Sequence, residues 1–187
     1  MKRIKIDDPN SLEIFVKALR NNQIIAYPTD TIYGLGTDIN NNKGIDRINL
    51  IKMRKQPMSI ALGSFDIIKN KINADESMLL KIEEILKDGS TCIAPYNPGS
   101  LNDKIAKDGK IGFRIPKHNY LKSVLRLYQK PITTTSVNKT GSVPLYTPNE
   151  IEEKFGDKID LLIDDGRIKN YPSKIFMFDG DEVKQVR

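Results

Sequence analysis

Three short clusters in this 187-residue chain combine hydroxyls, cations and glycines in spacings that suit a small polyanion. The first is PTDTIYGLGTD (28–38), which follows the apolar run IIAY directly. A plain turn needs one or two such residues, whereas this stretch supplies three threonines, two aspartates and two glycines. It suits a wall against a small polar molecule, with Gly34 and Gly36 marking close backbone approach or positive φ. The second is KMRK (52–55), where Arg54 can grip phosphate with two N–H groups and Lys52 brings a mobile point charge. The third is TTTSVNKTG (133–141), whose Ser136, Asn138 and open backbone at Gly141 can hold phosphate oxygens. Each of the last two also has a local explanation. Cations at a helix C-terminus compensate its dipole, and Ser/Asn turns bond their own backbone.

What the chain lacks narrows the chemistry further. Cys92 is its single cysteine and His118 its single histidine. No intrachain disulfide or Cys/His zinc cluster can form, and a Ser–His or Cys–His nucleophile is disfavoured. Cys92, on an apolar strand, reads as core, and His118 as a surface or capping residue. Any catalysis would rest on hydroxyls, Lys, Arg, carboxylates and backbone groups. The net charge of +6 favours anionic partners such as nucleotide, phosphate or RNA, although a lysine-rich solvated surface gives the same number. No apolar run reaches the ~18 residues of a membrane span. MKRIKIDDPN has no apolar segment after its charges, so no signal peptide or membrane contact is expected and the cytoplasm is the expected location.

These clusters need elements to hold them. SLEIFVKALR carries apolar residues at 12, 15, 16 and 19, the stripe of an amphipathic helix. Further helices are expected over 42–55, 64–72, 75–89, the HNYLKSVLRLYQK stretch and 147–155, the last capped by Thr147 or Asn149. Lys52 and Arg54 would point about 200° apart on a continuous helix. Pro57 is expected to fray the end and let both turn to one site. Strands are expected at QIIAYP, MSIAL, TCIAPY, KIGFRIP, PITTTS, DLLIDDG, SKIFMFDG and DEVKQVR, with TCIAPY and KIGFRIP forming a hairpin. Interleaved strands and helices imply a single α/β domain over 1–187 with a mixed sheet. The clusters follow strand ends, where such sheets place ligands.

In order along the chain, IIAYPTDTIYGLGTD, KMR with QPMSIAL, IGFRIP, TTTSVNKTG, DLLIDDG and YPSKIF resemble the YrdC family, the threonylcarbamoyl-AMP synthases. KMR and SVN resemble that family's K-x-R and S-x-N signatures. The resemblance implies a twisted, mixed α/β sheet flanked by helices and enclosing a basic cavity. It implies that L-threonine, bicarbonate and ATP, with Mg²⁺, give threonylcarbamoyl-AMP and pyrophosphate. That is the first step of N6-threonylcarbamoyladenosine formation at position 37 of tRNA, and partner proteins complete the transfer. Carried over residue by residue, it implies catalytic roles for Lys52 and Arg54. Thr31, Arg114, Thr134 and Ser173 would hold threonine. Arg54, Gln56, Ser136, Asn138 and Arg187 would hold nucleotide, and no residue is assigned to a metal.

The chain departs from the family pattern in two loops. RKQPM is about two residues shorter than R-P-x-x-K-P-L, with Gln56 before Pro57, and KDGST keeps Thr91 of P-G-P-x-T without its prolines. No second C-terminal domain of the longer members is expected. Three alternatives stay open: a YciO-like paralogue that keeps the fold but not the reaction, a module binding tRNA or double-stranded RNA, and a carbamoyl-transfer relative.

Overall fold

The computed structural model describes residues 1–54, 57–180 and 182–187. Among them, five helices alternate with ten strands. The strands are β1 (Lys2–Lys5), β2 (Ile25–Tyr27), β3 (Gly34–Gly36), β4 (Ser59–Ala61), β5 (Thr91–Pro95), β6 (Lys110–Arg114), β7 (Ile132–Ser136), β8 (Leu161–Asp164), β9 (Ile175–Asp179) and β10 (Glu182–Gln185). The helices are α1 (Ser11–Arg20), α2 (Asn42–Lys52), α3 (Glu76–Lys87), α4 (Asn119–Tyr128) and α5 (Pro148–Phe155). The strands join in one mixed sheet, in the order β1-β8-β2-β3-β7-β4-β6-β5-β9-β10. Parallel pairs such as β4–β6 and β5–β9 stand beside antiparallel ones such as β4–β7 and the expected β5–β6 hairpin.

Alternation along each strand divides the core in two. Ile24 and Ala26 join one cluster with Ile45 and Ile48 of α2, Ile82 and Leu86 of α3, and Phe155 of α5. Ile25 and Tyr27 join the other, with Phe15 and Leu19 of α1 and Leu121 and Leu125 of α4. This period-two sorting buries both faces of the sheet. On the α1/α4 face the apolar layer ends at Ala61 and Ile132. Past them the same face carries Thr134, Ser59, Arg114 and Thr91, and there a cavity opens.

Several elements differ from expectation, each for a physical reason. α2 stops at Lys52 rather than running to 55, because Met53 takes a left-handed conformation (φ 53°, ψ 44°). Met53 N–H donates to the Leu50 carbonyl and Arg54 N–H to the Asn49 carbonyl, the paired bonds of a Schellman ending. The turn that separates Lys52 from Arg54 therefore comes from Met53 and not from fraying at Pro57. The 64–72 helix resolves into two single 3₁₀ turns, Phe65–Ile67 and Lys69–Lys71. Two strands escape the sequence patterns altogether. β1 is a charged edge strand beside β8, and β3 is Gly-Leu-Gly, paired with β2 and β7. Its glycines serve close approach and not positive φ: a Cβ on Gly36 would lie 1.9 Å from the Thr133 carbonyl oxygen. Thr147 proves to be the α5 cap, in a capping box with Glu150. Cys92 is fully buried, and burial pushes its thiol up to about 12.

Candidate active site

The cavity has a volume of about 430 Å³ and collects residues from almost every segment singled out by sequence. Thr31, Arg54, Arg114, Thr134, Ser136, Asn138, Ser173 and Arg187 all line it. Their sequence separations are large, so only the sheet brings them together. Register makes the floor: Ser136 sits opposite Gly34, Thr134 opposite Ser59, and Arg114 between Ala61 and Thr91.

The PTDT turn builds one wall. Thr29 is spent on the turn itself, since its Oγ1 accepts from the N–H groups of Thr31 and Ile32 and donates to the Ile32 carbonyl at 2.6 Å. That bonding holds Thr31 Oγ1 3.0 Å from Thr29 Oγ1, on the cavity side. Asp30 turns the other way. Its Oδ2 accepts from Arg114 Nη2 at 2.8 Å and its Oδ1 accepts from the Lys117 backbone N–H at 3.0 Å. Arg114 Nη1 reaches Thr31 Oγ1 at 3.3 Å, and its Nε–H, although buried, has no partner.

Arg54 enters from the end of α2, with Nη2 3.2 Å from Thr135 Oγ1 and its buried Nε–H likewise unpartnered. Burial lowers its pKa from the ordinary guanidinium range. Arg187 donates from Nε and Nη2 to the Ser173 carbonyl at 3.1 and 3.0 Å. Its pKa is also lowered, first by burial and then by repulsion from Arg114. Ser173 Oγ in turn bonds Thr91 Oγ1 at 2.9 Å. Three guanidiniums thus share one cavity whose described lining holds no carboxylate, and two carry an orphaned donor. Such a site is built for an anion with several oxygens.

Lys52 occupies a different place from Arg54. It does not line the cavity; it is 2% exposed and lies behind the wall. Its Nζ donates to the Ser136 carbonyl at 2.7 Å and to Asn138 Oδ1 at 2.5 Å, while Ser136 Oγ donates to the same Asn138 oxygen at 2.6 Å. Asn138 Nδ2 closes the loop by donating to the Ser142 carbonyl. Lys52 therefore fixes the Ser136–Asn138 turn rather than facing the cavity. Burial, with Arg54 nearby, pulls its pKa down to about 7. Gln56 lies outside the described residues.

Ser59 and Thr135 line the cavity without having stood out in sequence. The alternation in MSIAL, with Met58 and Ile60 in the core, carries the signal for Ser59. Thr135 had no such signal, because its role depends on where α2 ends. His118 precedes α4 without capping it, and its Nε2 lies 3.1 Å from Asp165 Oδ2.

A model of the Sua5/YciO/YrdC family, described as "Telomere recombination", matches residues 17–187. The chain belongs to this family. A family member from Methanocaldococcus jannaschii is 31% identical over 179 residues, covering 94% of this chain and 84% of its own. A threonylcarbamoyl-AMP synthase of Vibrio campbellii is 30% identical over 174 residues, covering 88% of this chain and 92% of its own. Among solved family structures, P. abyssi Sua5 complexed with L-threonine superposes with a TM-score of 0.87 at 20% identity. That match covers all of this chain and 56% of the other, so this chain spans little more than half of Sua5. E. coli YciO superposes at 0.88 with 22% identity, covering 100% and 93%. At such identities these two likenesses show the shared Sua5/YciO/YrdC fold.

Proposed function

We propose that this protein is an L-threonylcarbamoyladenylate synthase, a nucleotidyltransferase that converts L-threonine, bicarbonate and ATP to threonylcarbamoyl-AMP and pyrophosphate. The observation that carries the reading is the convergence of Arg54, Arg114 and Arg187 on one cavity beside Thr31. An amino-acid carboxylate and a triphosphate bring the several anionic oxygens that such a lining requires. Family membership and the synthase names of relatives near 30% identity support the same reaction rather than a YciO-like or RNA-binding role.

The chemistry asks little of the protein beyond position. The threonine amine attacks bicarbonate, releasing water and leaving a carbamate. A carbamate oxygen then attacks the α-phosphorus of ATP, and the bond to the β-phosphate oxygen breaks to release pyrophosphate. No protein nucleophile takes part, which accords with the single buried cysteine and the single histidine. In this reading Arg114 and Thr31 hold the threonine carboxylate, with Thr134 and Ser173 completing that end. Arg54, Ser136, Asn138 and Arg187 take the nucleotide and stabilise charge that builds on its phosphates. Lys52 acts through Ser136 and Asn138.

Among the described residues nothing forms a cage for Mg²⁺. The described lining offers no carboxylate, Asp30 is committed to Arg114, and no group of three candidate ligands occurs among the described residues. The ion would arrive on the triphosphate, held by phosphate oxygens and water, and no step above runs through it. The reading extends to a cytoplasmic protein feeding tRNA modification at position 37, with transfer proteins downstream and tRNA or double-stranded RNA among its ligands. No helix among the described residues is long and apolar enough to cross a membrane.

Purified protein given threonine, bicarbonate, ATP and Mg²⁺ should release pyrophosphate only when threonine is present. Equal release without threonine, or none, would overturn the reading.

A further inference from the structure

Between the two ends of the cavity the floor crosses a single strand. Arg114 stands on β6, Ser136 stands on β7, and β4 lies between them. Neighbouring strands are spaced about 4.8 Å apart, so the span from β6 to β7 is about 10 Å. An amino acid held by the Arg114 side chain, which reaches inward from β6 toward the Ser136 turn, lies over β4 between them. That strand turns only two described side chains to this face, Ser59 and Ala61, and Ala61 is already packed into the α1/α4 core. Ser59 lines the cavity, and none of the side-chain hydrogen bonds among the described residues occupies its Oγ. Room for it is made on purpose by the neighbouring strand: a Cβ on Gly112 would lie 2.7 Å from Ser59 Oγ.

The geometry points to Ser59 as the residue that reads the substrate's side chain, its cavity-facing hydroxyl selecting an amino acid that carries a β-hydroxyl over the isosteric valine. This inference rests on the proposed synthase reading and adds what that reading leaves unassigned, the preference for a hydroxylated side chain. A hydroxyl facing the substrate gains a hydrogen bond from threonine that valine cannot offer. Gly112 is the positioning residue behind it, since any side chain there displaces the Ser59 hydroxyl.

The test compares threonine with valine in wild type, Ser59→Ala and Gly112→Ala, by pyrophosphate release and by calorimetric binding of each amino acid. Wild type should prefer threonine. Ser59→Ala should lower kcat/KM and affinity for threonine by about 10-fold while leaving valine unchanged or improved. Gly112→Ala should move the ratio in the same direction with Ser59 still present. ATP binding should remain in both variants, which reports an intact fold. An unchanged threonine-to-valine ratio in Ser59→Ala overturns the inference while leaving synthase activity standing. Absence of threonine-dependent turnover in wild type overturns the synthase reading, and binding then still judges Ser59. Loss of threonine selectivity in Ser59→Ala supports its role, and wild type that binds threonine and valine alike ends it.

Discussion

Lys52 Nζ donates to the Ser136 carbonyl at 2.7 Å from behind the wall that Ser136 presents to the cavity. The two residues are 84 apart in sequence. The helix end and the strand end that carry them are also joined through the backbone, where Thr140 N–H donates to the Lys52 carbonyl at 3.0 Å. A cation two residues from Arg54 thus braces the Ser136–Asn138 turn from behind rather than facing the cavity itself.

That placement has a pH signature. The Lys52 pKa is about 7 in the folded protein, below the ordinary lysine value near 10.5. Between those values the unfolded chain binds a proton that the folded chain does not, so raising the pH across this window stabilises the fold. Below about pH 7 both states are protonated and the cost of the buried charge is fully present. The stability difference between wild type and Lys52→Met should therefore grow in favour of wild type from pH 6.5 to pH 9, by up to about 2 kcal/mol. Urea titrations at the two pH values measure it. A difference that stays flat removes the buried charge from the account.

Arg54, like Arg114, faces the cavity with a buried, unpartnered Nε–H, but unlike Arg114 it has no carboxylate partner among the described residues. Arg54→Lys keeps the charge and loses the fork, and Arg54→Ala loses both. If the residue stabilises charge on the nucleotide, Arg54→Ala should lower kcat/KM for ATP by roughly 10²–10³-fold. Arg54→Lys should recover only part of that, because a point charge does not replace two directed donors. Steady-state pyrophosphate release decides it, and near-wild-type turnover in Arg54→Ala takes the residue out of the site.

Much of this arrangement was legible from local pattern. The stripe of SLEIFVKALR gave α1 to the residue, and the start of α5 was narrowed to Thr147 or Asn149, of which Thr147 is the cap, because helix periodicity and capping act within a few residues. β3 was not legible. Gly-Leu-Gly has poor strand propensity, and what makes it a strand is its pairing with β2 and with the distant β7, whose Thr133 carbonyl comes close enough to Gly36 to leave no room for a side chain. β1 was missed for a related reason, since an edge strand tolerates the charges of Lys-Arg-Ile-Lys, two of which pair with Asp164. In the candidate site the cation and hydroxyl motifs were visible as residue types. Which of them face the cavity was not, because Met53 decides where Arg54 points and strand register decides that Ser59 lies on the floor.

Gly36 turns the β3 observation into a measurable one. In Gly36→Ala the new methyl would meet a backbone carbonyl at 1.9 Å, and a carbonyl in a paired strand cannot swing aside as a side chain can. Either β3 leaves β7 or the sheet shifts, and overpacking of this kind costs about 3 kcal/mol. Chemical denaturation should show that loss, together with weakened threonine binding, because β3 carries Gly34 on the cavity lining opposite Ser136. Stability within a few tenths of a kcal/mol of wild type would contradict the close approach.

Met53 offers the opposite sign. It is a 72% exposed side chain held at φ 53°, where glycine is the residue with least strain. Met53→Gly removes little packing and relieves a left-handed conformation that costs an L-residue about 1 kcal/mol. Greater freedom of glycine in the unfolded chain offsets part of the gain. The expected outcome is a net stabilisation of roughly 0.5 kcal/mol in denaturant titrations. ATP turnover should be retained, since the Schellman bonds from Met53 and Arg54 use backbone atoms that glycine also provides. If Met53→Gly keeps its stability but loses turnover, the side chain itself holds Arg54 in place, and the backbone turn is not sufficient to aim that guanidinium at the cavity.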